Sequence, residues 1–291
     1  MDRREIVQRF LVEGKLITPE TLSKITEQNI NNFISEKKEP RQDAITISFS
    51  YEKEQPTQFK STEVVALYTK RFKKLRDLLM NKISAVSLQH IGKQIGDITV
   101  IGRIEKHDPK GFLLNDGTGS IVVSTKKNTF LGDVVGVRGR IKEGVLFAIE
   151  IIYPDIPLTR KRPHLVGTLT LTTNETTEKN ALSIKKGPHI ITTNPCWVTV
   201  KSNNNNGTLL YYQPSTPIDI TTIKEWLQRR YIPHPLKPLV GNDPFLLNPI
   251  PDIFWVQTNE QFTHAYKGVL IISLGSGKAV INLNSSTVQF S

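Results

Sequence analysis

The feature that most constrains this chain is a change of period. Between Ile95 and Tyr153 apolar residues recur at every second position in short runs, the signature of strands with one buried face. The runs are Ile98–Ile104, Gly111–Asn115, Ser120–Ser124, Asp133–Ile141 and Val145–Ile152, with a hairpin turn at Asp116-Gly117-Thr118-Gly119. Asp116–Gly119 lacks the Lys-Ser/Thr of a phosphate-binding loop, and no helical pattern follows it, so it reads as a turn and nothing more. Five short antiparallel strands, with glycines where the chain must bend, fit a small closed barrel better than an open sheet.

The flanking sequence supplies the other parts. Residues 1–35 read as a small N-terminal helical unit: Ile6, Phe10 and Leu11 share a face, Gly14 closes a first helix, and Thr18-Pro19 caps and starts a second. Residues 36–60, rich in Glu, Lys, Gln, Pro and Ser, read as a linker with a short apolar stretch at Ile45–Phe49. Thr62–Lys82 is the clearest helix, because Val64, Tyr68, Phe72, Leu75 and Leu79 fall along one stripe. With the barrel, an OB-fold by its strand count and spacing, it makes a domain over 61–157. Residues 158–291 mix short strands with one helix, Ile220–Arg230, capped by Asp219, and Asn203–Gly207 reads as a hairpin turn. The class is therefore α+β and multidomain, with an α/β sheet domain at the C-terminal end.

Composition narrows function. Lys and Arg total 38 against 27 Asp and Glu, a net charge of +11 that points to a polyanionic partner. Ten basic residues are candidate contacts to a DNA backbone: Lys70, Arg71, Lys73, Lys74 and Arg76 on the long helix, Arg160, Lys161 and Arg162 after the barrel, and Arg229 and Arg230 on the C-terminal helix. A solvated helix face is the plainer reading of the first group. The single cysteine, Cys196, excludes a disulfide framework and a multi-cysteine metal site, and its place at the start of a strand suits a buried, inert thiol. The first residues carry charge and no hydrophobic core, unlike a signal peptide, and no apolar run is long enough for a membrane span, so a cytoplasmic protein is expected.

Three stretches carry a family resemblance. They are Lys70–Arg76; the barrel from Val100-Ile-Gly-Arg-Ile104 through Tyr153-Pro-Asp-Ile-Pro157; and, near the C-terminus, Leu227–Tyr231, Pro238–Gly241, Asn248–Phe254, Tyr266–Val269 and Ser285–Gln289. In that order they resemble the small subunits of archaeal family D DNA polymerases, and more distantly the B-subunits of eukaryotic replicative polymerases. The resemblance implies that 158–291 is a calcineurin-like phosphoesterase domain. In that family the domain holds two metal ions and acts as a 3′→5′ exonuclease, through Asp-x-His, Gly-Asp-x-x-Asp, Gly-Asn-His-Asp/Glu, His-Gly and Gly-His-x-His elements.

None of those elements is present. Residues 168–176 hold neither aspartate nor histidine, and the only aspartates between Ile156 and Pro251 are Asp219 and Asp243. Tyr212 and Gln213 fall where the family has His-Gly, Gln257-Thr258-Asn259-Glu260 where it has Gly-His-x-His, and Tyr231 where an arginine-rich element ends in histidine. His164, His189, His234 and His264 each lack an adjacent aspartate and read as surface or hydrogen-bonded residues. The resemblance thus implies a shortened, degenerate phosphoesterase domain with no cofactor and no catalytic residue. The expected function is a non-catalytic accessory subunit that binds and stabilises the large catalytic subunit of a replicative DNA polymerase. DNA is touched weakly or through that partner, a sliding clamp is a further candidate partner, and the setting is archaeal and nucleoid-associated. The alternatives are a stand-alone single-stranded DNA-binding barrel, whose aromatic candidates are Phe112, Phe130, Phe147 and Tyr153, and a residual 3′→5′ exonuclease.

Overall fold

The structure is a computed structural model that describes residues 6–7, 45–50, 61–93, 96–233 and 243–291. The chain divides into two units, Met1–Ala44 and Ile45–Ser291. In the first, Ile6 and Val7 are helical and Ile6 is buried; the rest of the helical unit read over 1–35 lies outside the described residues.

The five alternating runs become β2 (Asp97–Asp108), β3 (Gly111–Asn115), β4 (Ser120–Ser124), β5 (Val134–Lys142) and β6 (Val145–Ile152). They close into a barrel in the order β2-β3-β4-β6-β5, with β4 and β6 parallel and every other pairing antiparallel. The inward set Val100, Phe112, Leu114, Val123, Val137 and Leu146 is fully buried, which is what the period-two pattern requires. Closing so few strands demands sharp bends. The register shifts between Ile104 and Lys106 and again at Arg138/Gly139, where a Cβ on Gly139 would lie 2.1 Å from the Phe147 carbonyl oxygen.

A 3₁₀ turn, Leu88–Lys93, is tied to the β3–β4 hairpin through Asp116. Its carboxylate accepts from Leu88 N at 2.8 Å and from the backbone of Thr118 and Gly119 at 2.7 and 3.0 Å. Burial pushes this carboxyl up, but the hydrogen bonds from Leu88, Thr118 and Gly119 together outweigh it and hold it below its ordinary range. Helix α1 (Ser61–Met80) lays Leu75 and Leu79 against Ile101 and Val134 on the outer barrel wall.

The remainder is two packed sheets. One has six strands, ordered β1 (Thr46–Phe49), β10 (Cys196–Ser202), β11 (Asn205–Tyr212), β12 (Ile253–Val256), β14 (Val269–Leu274), β13 (Gln261–Tyr266). The other has five: β16 (Thr287–Phe290), β15 (Lys278–Asn282), β7 (Thr168–Thr172), β8 (Ala181–Ser183), β9 (His189–Ile190). Leu169, Leu171, Leu182, Val198, Trp255 and Ile272 fill the space between them. The outer face of the larger sheet is covered by α2 (Ile220–Arg229), which sets Ile223, Trp226 and Leu227 on Leu210, Phe254 and Ile271. Asp219 caps α2 by accepting from Thr222 N, and Arg230 ends it in a left-handed conformation.

Thr46–Phe49, within the stretch read as a linker, pairs with β10 as an edge strand of the larger sheet. Among the described residues no helix is long and apolar enough to cross a membrane.

Candidate functional site

In an open sheet with parallel strands, ligands gather where the strands end at their carboxyl side. Here β11, β12 and β14 run parallel, and their carboxyl ends bring together Tyr212, Gln257, Thr258, Ser273 and Gly275, close to Glu260. These include the three positions that stand where the resemblance implies metal ligands: Tyr212, Thr258 and Glu260.

Tyr212 is buried on the helix side, its ring edge-to-face with Trp226 at 5.5 Å, and burial pushes its hydroxyl pKa up. Thr258 and Ser273 share a hydroxyl contact of 2.9 Å, and both hydroxyls donate to the Glu260 carbonyl, at 3.1 and 2.7 Å. Glu260 thus enters the network by its backbone, and it is an exposed residue. The Gln257 amide donates to the carbonyls of Gly275 and Thr258 and accepts from Trp255 Nε1. Beside it, Asn194 and Gln213 exchange hydrogen bonds, the side-chain amide donating to Gln213 O at 2.6 Å and the side-chain oxygen accepting from Gln213 N at 2.9 Å.

The donors and acceptors of this network are neutral and largely satisfied by one another. A pair of divalent ions needs carboxylates and imidazoles with lone pairs aimed at a common centre. The side chains present do not fit that requirement, and among the described residues no three His, Cys, Asp or Glu converge as a metal site would need. His189 and His264 lie on different strands, His164 lies in the segment before β7, and His234 is outside the described residues. Cys196 is buried at the start of β10, and burial raises its thiol pKa, away from nucleophile chemistry.

The basic residues divide in two. On α1, Lys70 and Lys73 are exposed, Lys74 is half-buried, and Arg76 lies over the Phe72 ring; after the barrel Lys161 is exposed, while Arg162 donates to the Asp252 carbonyl at 3.4 Å. Four others have their guanidinium groups engaged inside the protein. Arg71 forms a two-point pair with Asp243, at 2.5 and 3.0 Å, and Arg160 pairs with Asp252. Arg230 is buried and donates twice to the Leu247 carbonyl, at 2.9 and 2.7 Å; burial and the neighbouring Arg160 lower its pKa to about 10, against the raising effect of Asp155. Arg229, only 6% exposed, contacts Asp133 and donates to Glu225.

Two of these pairs, Arg71–Asp243 and Arg229–Asp133, fasten α1 and the barrel to the sheets. The focus is Asp133, at the start of β5, whose side chain has no exposed surface. It accepts from Tyr231 OH at 2.7 Å and from Phe130 N at 3.1 Å, while Arg229 Nε lies 3.3 Å away. Phe130 covers the Arg229 guanidinium at 3.9 Å. Burial raises the Asp133 carboxyl, opposed by Arg229 and the Tyr231 and Phe130 hydrogen bonds. Sequence reasoning missed Asp133; the signal was an aspartate standing directly before the apolar start of a barrel strand, Val134-Val135.

No protein-family model matches the chain. Over 102 residues it is 33% identical to the DNA polymerase II small subunit of Archaeoglobus fulgidus. That match covers 31% of this chain and 21% of the archaeal protein, so the chain spans about a fifth of the length of the curated relative it matches.

Proposed function

We propose that this chain is a non-catalytic accessory subunit of a replicative DNA polymerase. The similarity to a polymerase small subunit carries the proposal. On this reading the closed barrel is an OB-fold, supported by the order β2-β3-β4-β6-β5 with its parallel β4–β6 pair. The two packed sheets are a shortened phosphoesterase domain whose catalytic chemistry has been lost. The neutral network of Gln257, Thr258 and Ser273 supports that loss, since hydroxyls and amides that satisfy one another offer a metal ion little in exchange for its water. The role left to the chain is binding: it holds and stabilises the large catalytic subunit, in the cytoplasm at the nucleoid, with a sliding clamp as a second candidate partner.

The test has two arms. Tagged chain purified from its native cells should bring down a large polypeptide with DNA polymerase activity. The isolated chain, given manganese and a labelled single strand, should release no nucleotides. Chelator-sensitive exonuclease activity, or a purified complex without polymerase activity, overturns the proposal.

A further inference from the structure

A groove of about 1150 Å³ runs along the barrel between the β2–β3 hairpin and the loop that follows β4. Its lining includes Lys110 from the hairpin, Lys126 and Lys127 from the loop, and His107, Asp108 and Phe130. None of these lysines is among the ten basic residues that the sequence brought forward.

The groove gathers three lysines, whereas the barrel's arginines are matched to carboxylates. Arg103, Arg138 and Arg140 each have a carboxylate partner, in Glu105, Glu150 and Asp97. Among the described residues Lys110, Lys126 and Lys127 form no ion pair, and all three are exposed. The one carboxylate in the lining, Asp108, accepts from the backbone N–H of Lys110 at 3.0 Å, which turns it into the hairpin. Three ammonium groups therefore face one concave surface, where they attract a chain of anions rather than a single one.

The groove also offers a ring. Phe130 is 47% exposed although one face rests on the Arg229 guanidinium, so the other is open for stacking. Phe147, also exposed, stands opposite Ser124 of the groove wall in the β4–β6 register. A basic track beside exposed aromatic faces is the arrangement by which single strands are held without regard to sequence, phosphates on the cations and bases on the rings.

We infer that this groove binds a segment of single-stranded DNA, with Lys110, Lys126 and Lys127 on successive phosphates and a base stacked on Phe130. The inference does not depend on the polymerase partner, and its test leaves that reading untouched. Full-length chain is titrated into a fluorescently labelled oligothymidylate of about 15 nucleotides, near the upper site size of one such barrel, at low salt and then at rising salt. Three phosphate contacts predict a slope of about −2 in a double-logarithmic salt plot.

Lys126→Glu with Lys127→Glu should weaken binding by roughly tenfold or more and flatten the slope by about 1.4. Phe130→Leu, which keeps an apolar cover over Arg229, should cost roughly tenfold at unchanged slope. Lys185→Glu with Lys186→Glu, an exposed pair elsewhere on the surface, should leave the affinity within about twofold. Failure of the wild-type chain to bind at low salt overturns the inference. So does equal binding to a duplex of the same length, or a loss from the Lys185/Lys186 variant as large as from the groove variant. The wild-type salt slope keeps the inference testable even if a variant folds poorly.

Discussion

Removing Arg229 tests whether the barrel and the sheets are one cooperative body. In Arg229→Met the aliphatic stem still packs beside Phe130, but Asp133 loses the cation paired with it in a setting where its side chain has no exposed surface. Breaking a buried ion pair from one side costs about 3–5 kcal/mol, chiefly through the charge left behind. Two observations place this case at the lower end. Asp133 keeps its bonds from Tyr231 OH and Phe130 N, and Arg229 Nε, although 3.3 Å from the carboxylate, does not meet hydrogen-bond geometry there. The expected loss is about 3 kcal/mol, which for a body of this size lowers the thermal midpoint by roughly 6–12 °C.

The assay is urea unfolding followed in parallel by tryptophan fluorescence and far-ultraviolet circular dichroism. All three tryptophans, Trp197, Trp226 and Trp255, belong to the larger sheet and its helix, so fluorescence reports that part alone. Circular dichroism reports the barrel as well. The two transitions should coincide in the wild type and separate in Arg229→Met. A second variant carrying Asp133→Asn as well removes the stranded charge and should recover more than half of the loss.

The pH dependence has a definite sign. Burial already raises the Asp133 carboxyl, and deleting its cation raises it further. A carboxyl raised in the folded state contributes stability that is present below its unfolded pKa and lost as pH rises through its folded pKa. The deficit of Arg229→Met should therefore be small in acid and grow toward neutrality. A loss below about 1 kcal/mol, no rescue by Asp133→Asn, or a deficit that shrinks with rising pH would refute the reasoning.

Three further outcomes follow from the barrel. Asp116→Ala should lower stability by about 2 kcal/mol in urea unfolding at neutral pH. Because hydrogen bonds hold the Asp116 carboxyl below its ordinary range in spite of burial, that difference is present above the unfolded carboxylate pKa and should close as pH falls through the folded one. Leu75→Ala leaves a cavity under α1, where the side chain is fully buried, and should cost about 2–5 kcal/mol in the same assay. Gly139→Ala places a methyl 2.1 Å from the Phe147 carbonyl oxygen, so the β5–β6 bulge must shift; the thermal midpoint should fall, and an unchanged midpoint would show that the bulge yields freely.

What the sequence disclosed and what it hid divide along sequence separation. The barrel runs, the Asp116 turn and the Asp219 cap are local, each set by residues within a few positions of one another, and each forms where the pattern places it. The strands that escaped notice are short or at an edge. Ala181–Ser183 has three residues, all buried, Gln261–Tyr266 is an edge strand with no fully buried residue, and Thr287–Phe290 alternates over only four residues, with Val288 and Phe290 half-buried against the core. The fate of the arginines was hidden for a different reason: their partners are distant. Arg71 meets Asp243 across 172 positions, Arg160 meets Asp252 across 92, and Tyr231 reaches Asp133 across 98. Nothing in a basic helix face distinguishes a cation waiting for phosphate from one already matched to a carboxylate brought in by the fold.

The placing of the cations bears on how such a chain could meet DNA. The guanidiniums of Arg71 and Arg229 are directed to carboxylates across the contact of α1 and the barrel with the sheets, and the ammonium groups of Lys82 and Lys267 are likewise engaged there, with the carbonyls of Pro154 and Asp155 and with the Asp155 carboxylate. The compact ammonium groups of Lys110, Lys126 and Lys127 are left facing the barrel groove, where a flexible point charge tolerates a strand in many registers. Three phosphate contacts release few counterions, so such a groove binds measurably at low salt and loses most of its hold near physiological ionic strength. A stand-alone single-strand binder would fail on those terms. An accessory subunit would not, because a strand already delivered by a polymerase partner arrives at a high effective concentration, and a weak, sequence-blind track is then enough to guide it.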